Sequence, residues 1–118
     1  MNQYDVPGYL IIEIPEIKES LKTILTPLNL IKTIQCLDDH TRRKLVQHDF
    51  LKAARCFEVA ENIYSIGDKA VRDTIENVFV YSLPSLLNLC NKDEERKIEG
   101  LIPSLHKALV EQVYRSGI

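Results

Sequence analysis

From Phe50 to Ile66 the chain reads FLKAARCFEVAENIYSI, with neither glycine nor proline. Wound as an α-helix, this stretch places Lys52, Arg55, Glu58, Asn62 and Ser65 on one narrow stripe. Leu51, Ala53, Ala54, Cys56, Phe57, Val59, Ala60, Ile63, Tyr64 and Ile66 cover the rest of the circumference. A helix that is apolar around most of its surface needs neighbours on two or three sides. Its existence therefore demands several other helices, and the remaining sequence is read for them.

Asp49 precedes this helix as a side-chain cap for the free amides of its first turn. Gly67 and Asp68 follow it. The glycine is expected to take the left-handed conformation that closes many helices, and the aspartate to cap the next one, whose buried face is Val71, Ile75, Val78, Phe79 and Leu83. Two such helices joined by so short a break form an antiparallel hairpin. Upstream, Pro15 opens a helix carrying Ile14, Ile17, Leu21, Ile24 and Leu25 at three-and-four spacing. Thr26-Pro27 restarts the chain into a second helix with Leu30, Ile31, Ile34 and Leu37 on its stripe, running into the low forties. The stretch DDHTRRK, residues 38–44, has no apolar side chain and is expected to be exposed.

Downstream, Ser82-Leu83-Pro84 signals a break, because the residue before proline is pushed out of the helical region, with a short helix over Ser85 to Leu89 after it. Asn91 with Glu94 reads as a capping box, ahead of a stripe of Ile98, Leu101, Ile102, Leu105, Leu109 and Val113. Pro103 divides or kinks that last segment. IPEIKESL at 14–21 and IPSLHKAL at 102–109 share a helix-start signal, without a longer repeat. The expected fold is all-α: a single bundle of five or six helices in one domain, 1–118, with the antiparallel pair 50–66 and 69–82 at its centre. Residues 1–13 are read either as a short helical turn or as an arm laid on the core.

Composition removes several classes. At 118 residues, 45% hydrophobic and 27% charged, the chain has the make-up of an ordinary globular domain. A net charge of −2 supplies no long-range field for gathering phosphates, which argues against nucleic acid. The apolar run Tyr9 to Ile12 is too short for a signal peptide or a membrane span. Cys36, Cys56 and Cys90 are odd in number and each lies in a helical apolar pattern, which suits reduced thiols and a cytoplasmic location.

Chemistry-bearing clusters are few. Arg72, Asp73 and Glu76 lie in the first two turns after Asp68, where carboxylates oppose the helix dipole and Arg72 is in reach of Glu76. Cys36 and His40 are one turn apart, with Asp39 adjacent, but His48 lies beyond a helix end, so no metal site and no cofactor is expected. Glu58 and Glu61 lack the histidines of a di-iron pattern and are expected to face solvent. No nucleophile sits on a glycine-flanked elbow and no glycine loop cradles phosphate, so the chain does not read as an enzyme. Arg42, Arg43 and Lys44 form a basic run offset by Asp38 and Asp39.

The stretch FEVAENIYSIGDKAVRDTIENVFVYSL, Phe57 to Leu83, resembles a family of small bacterial all-helical domains of unassigned function. The positions that carry the likeness are Phe57, Ala60, Ile63, Gly67, Asp68, Val71, Ile75 and Glu76, and IPEI at 14–17 is similar to a Pro-Glu start near the N-terminus of such domains. Domains of this look occur near toxin–immunity loci, so the resemblance implies a protein-binding role and supplies no catalytic residues. The expected function is stoichiometric occlusion of a partner protein, as an immunity-type inhibitor would act, through Asp68, Arg72, Asp73, Glu76 and Tyr81, with Tyr4 and Tyr9 as further aromatic anchors. Two other readings stand beside it. One is a nucleic-acid-associated regulator using Arg42, Arg43 and Lys44; the other is a homo-oligomer that pairs the Leu101 to Val113 stripe with its own copy.

Overall fold

The structure, a computed structural model, describes residues 1–23 and 29–115. These form α1 (Val6–Glu13), a 3₁₀ turn (Pro15–Ile17) running into α2 (Lys18–Lys22), α3 (Leu30–Val46) and α4 (Phe50–Ile66). They continue with α5 (Lys69–Thr74), a π-helical segment (Ile75–Val80), α6 (Tyr81–Leu87), α7 (Lys92–Leu101) and α8 (Pro103–Arg115), and no strand occurs among them. The expected Thr26-Pro27 start, and Ile24 and Leu25 of the first stripe, lie outside the described residues.

The apolar helix is α4. Its Asp49 cap accepts a hydrogen bond from the Lys52 amide at 3.3 Å. Along it Ala53, Phe57, Val59, Ala60 and Ile63 lose all exposure, while Leu51 and Ile66 face outward. It is in contact with α1, α3, α5, α7, α8 and the π segment. Phe57 meets Phe79 of the π segment edge to face, with ring centroids 5.8 Å apart, the arrangement that the ring quadrupoles favour. One contiguous apolar core results, and the Cα radius of gyration of 13.6 Å is close to the about 13.5 Å expected for a compact chain of this length. Residues 1–13 contribute to that core: α1 buries Val6, Pro7 and Leu10.

Three sequence expectations are corrected. First, residues 38–44 are not a solvated stretch. α3 continues through them to Val46, and Asp38, Thr41 and Leu45 prolong the inward face begun by Ile34 and Leu37. Thr41 is tolerated there because its hydroxyl donates to the Leu37 carbonyl at 2.7 Å. Second, Pro84 does not end a helix. It lies inside α6, directly downstream of a wider turn in which the Tyr81 amide reaches back five residues to the Glu76 carbonyl. Such a turn supplies the local rearrangement that a proline within a helix requires.

Third, Glu61 does not face solvent. It is 9% exposed, and its carboxylate accepts from the amides of Ser104 (3.2 Å) and Leu105 (3.0 Å) at the start of α8. It caps that helix from a different one, satisfying free first-turn amides and opposing the helix dipole.

Other punctuation follows the sequence. Asn91 and Glu94 form the reciprocal capping box, at 3.0 and 2.8 Å. Pro103 starts a new helix after Ile102 leaves the helical region. The α3–α4 corner uses His48 at φ 58°, with Asp49 N–H bonded to the Lys44 carbonyl and His48 N–H to the Leu45 carbonyl, the paired closure of a helix end on a left-handed residue.

Two stability measurements follow. His48→Gly removes the steric penalty of a side chain in the left-handed region and should stabilise the fold by about 1 kcal/mol in urea titration. Glu61→Ala leaves the α8 amides uncapped in a buried place and should cost about 2 kcal/mol or more by the same measurement.

Candidate functional site

Gly67 and Asp68 build the corner on which the charged shoulder stands. Gly67 is extended, at φ −71° and ψ 149°, and not left-handed as expected. What requires glycine is proximity: a Cβ there would lie 2.7 Å from both the Ile63 carbonyl oxygen and Val71 Cγ1. Asp68 caps α5, accepting from the Val71 amide at 3.1 Å. Met1 clasps the corner from outside, its amino group donating to the Ile66 carbonyl (2.6 Å) and its carbonyl accepting from the Asp68 amide (2.8 Å).

One turn further on the charges sort themselves differently from the expected Arg72–Glu76 pair. Lys69 pairs with Asp73 at 2.8 Å on the solvent side. Arg72 lies over the Tyr64 ring, 5.2 Å from its centroid, a cation–π contact. Glu76 accepts the Tyr64 hydroxyl at 2.6 Å, and its main-chain carbonyl accepts Gln112 Nε2 of α8 at 2.9 Å. Burial and the Glu76 carboxylate both push the Tyr64 phenol above its ordinary value, so it remains a donor. Tyr64 and Arg72 border a hollow of about 360 Å³ with Ser104, Lys107 and Glu111. Asp68, Arg72, Asp73 and Glu76 are thus brought to one corner, where Asp68 and Glu76 are occupied holding the chain in place. Tyr64 and Gln112 were not singled out from the sequence; each is an ordinary helix residue until the partner helix is known.

Tyr81 lies apart from that corner. It follows the π segment directly, is 78% exposed, and borders a second hollow, of about 310 Å³, between the π segment and α3. Gln35, Asp38, Asp39, Asn77 and Ser82 also line it. Asp38 is 8% exposed, its Oδ2 accepts the Ser82 hydroxyl at 3.1 Å, and its Oδ1 has no hydrogen-bond partner. Burial, which disfavours the charged form, raises the Asp38 carboxyl above its ordinary value against the pull of Ser82 and Arg42. The helical spacing of Asp38 after Ile34 and Leu37 was the sequence signal for its inward position. Of the other tyrosines, Tyr4 is exposed, while Tyr9 is half-buried with its hydroxyl accepting from Asn62.

Compared with known families, residues 7–116 match the one described as Domain of unknown function (DUF7674). The chain belongs to that family. The match reaches from α1 to the end of α8, far beyond the resemblance over residues 57–83. No curated protein and no solved structure matches the chain.

In this DUF7674 chain the three residues of the basic run have different neighbours. Arg42, Arg43 and Lys44 are consecutive on α3 and point around it: Arg42 donates to Ser85 Oγ (2.9 Å), Lys44 to Gln47 (3.3 Å), and Arg43 borders a separate hollow with Cys36 and Asp39. Along the Leu101 to Val113 stripe, Ile102 and Leu105 lie in the core and Val113 is exposed. No group of three or more His, Cys, Asp or Glu side chains is set to hold a metal among the described residues, nor is any helix there long and apolar enough to cross a membrane. The three cysteines are free thiols, and burial pushes Cys56 up to about 11, out of reach of thiolate chemistry at neutral pH.

His40 is held in the core with Nε2 3.5 Å from Glu16 Oε1. Burial lowers its pKa, against the attraction of Glu16 and with Lys44 and Arg43 adding to the decrease. Unfolded, it takes a proton near its ordinary value of about 6.5; folded, it resists until lower pH. Between those two values the unfolded chain binds more protons, so stability should fall as pH drops below about 6.5. Urea midpoints should show this decline in the natural protein and a flatter profile in His40→Gln.

Proposed function

We propose that this chain is a protein-binding module without enzymatic activity, which acts in the bacterial cytoplasm by covering part of a partner protein in a stoichiometric complex. Its most specific form is an immunity-type inhibitor that neutralises a toxin. In this reading the antiparallel pair 50–66 and 69–82 is the centre of a five- or six-helix bundle that presents the binding face.

The observation that carries the reading is Tyr81. Tyr4 and Tyr114 are as exposed as Tyr81, at 72% and 81% against 78%, but Tyr81 stands beside a polar hollow at the end of a π segment. Such segments are frequent at functional sites, and aromatic anchors with a charged rim dominate the energy of protein interfaces. Asp38 and Asp39 supply charge beside Tyr81, while Arg72 and Asp73 stand at the separate corner. The role of Glu76 is narrower than that of a rim residue, since its carboxylate is engaged with Tyr64.

The test is to isolate C-terminally tagged protein from its native cell at moderate salt with nuclease present. One protein in stoichiometric amount is expected, held about tenfold more weakly by Tyr81→Ala, the loss of a single interface anchor. Binding unchanged by Tyr81→Ala, co-purifying material that disappears with nuclease, or recovery of the chain's own copies alone would each overturn the proposal.

A further inference from the structure

α8 is seated on a narrow seam. Of its thirteen residues Leu105 and Ala108 are buried, whereas α4 buries nine of seventeen. Its two flanks stand off the body. With about 100° of rotation per residue, Ser104, Lys107 and Glu111 fall on one side of the helix and His106 and Leu109 on the other. The first set borders the hollow of about 360 Å³ shared with Tyr64 and Arg72, and the second borders another, of about 490 Å³, shared with Leu87, Cys90 and Glu99. Two polar clips add to the seam: Glu61 on the Ser104 and Leu105 amides at the start of α8, and Gln112 on the Glu76 carbonyl near its end. The base of the helix is jointed. Ile102 leaves the helical region at φ −127° and ψ 52°, and Pro103 has no N–H with which to continue the ladder from α7. Ile98 and Ile102, both without exposure, pin α7 to the body on the near side of that joint.

We propose that α8 is a hinged flap, which swings away from α4 and the π segment about Ile102 and Pro103 while the other helices stay folded. Opening gives up the burial of one leucine and one alanine together with the Glu61 and Gln112 hydrogen bonds, whose groups water can then satisfy. The segments of a fold that open on their own are those with few buried apolar contacts, and α8 is such a segment beside α4. Once lifted, a helix of thirteen residues is marginal in water, so its amides exchange in the open state. Opening bares the Glu61 carboxylate and the Tyr64 side of α4. It also releases the Glu76 carbonyl, to which the Tyr81 amide bonds, so the flap is coupled to the turn that precedes Tyr81.

The test is native-state amide exchange of the ¹⁵N-labelled full chain over a series of low urea concentrations, where exchange reports the opening equilibrium. The amides of Ala108, Leu109 and Gln112 are expected to share one protection factor, about tenfold or more below that of Phe57, Ala60 and Ile63 in α4. Its dependence on urea should be weaker, because less surface is exposed in the opening. Two variants separate the flap from the whole. Gln112→Ala removes a clip that is lost both when the flap opens and when the chain unfolds, so it should lower the protection of both groups about fivefold. Ile34→Val, in the core on α3, should lower the protection of α4 about fivefold and leave α8 unchanged, because Ile34 stays packed when the flap opens. Equal protection and urea dependence of α8 and α4, a response of α8 to Ile34→Val, protection that falls residue by residue along α8 as in fraying, or α7 amides that open together with α8 would each overturn the inference.

Discussion

The requirement to enclose α4 governs the rest of the molecule. Each fully buried Phe, Ile or Val side chain on such a helix is worth about 1.5–3 kcal/mol, gained only if other helices shut out water along its whole length. α1, α3, α5, α7 and α8 all touch it, and the short links between them leave little freedom to arrange the enclosure otherwise. Glu61 shows how strict the requirement is. A carboxylate on the inward side of α4 would be prohibitive unpaired. It is accepted because the first turn of α8 brings two amides to it, so one buried charge fixes where the last helix begins.

Much of this was legible in the sequence because it depends on local chemistry. Asp49, Asp68 and the Asn91–Glu94 pair act as caps, and Pro103 starts a helix, for reasons contained within four residues of each. What escaped were effects that need a second helix. DDHTRRK was misread because its lack of apolar side chains conceals a helical phase in which Asp38, His40 and Thr41 turn inward, Thr41 bonded to a main-chain carbonyl, one Asp38 oxygen to Ser82, and His40 set near Glu16. Pro84 was misread because the wider turn that accommodates it has no sequence signature. Gly67 was identified correctly as a corner and assigned the wrong cause: crowding by Ile63 and Val71, not a left-handed backbone.

The charged shoulder was legible as a cluster and not as a set of roles. Arg72, Asp73 and Glu76 are adjacent because a helix makes them so. The partners of Glu76, Tyr64 on α4 and Gln112 on α8, come from 12 and 36 residues away, whereas Asp73 pairs within its own helix with Lys69. Tyr81 and Asp38, which share a hollow, are likewise far apart along the chain, and only the packing of α3 against the π segment brings them together.

That segment has a further consequence. A π turn is equivalent to one residue inserted into an α-helix, so α5 and α6 are out of phase with each other by roughly 100°, the rotation of a single residue. Loss of one residue between Ile75 and Val80 would bring them back into phase and swing Leu83, Leu86 and Leu87 off the core. The Glu76 carbonyl belongs to that turn and is also the atom Gln112 grips. The winding of a few residues therefore sets at once how Tyr81 is aimed and where α8 can rest, which makes insertion and deletion, rather than substitution, the changes this part of the chain tolerates least.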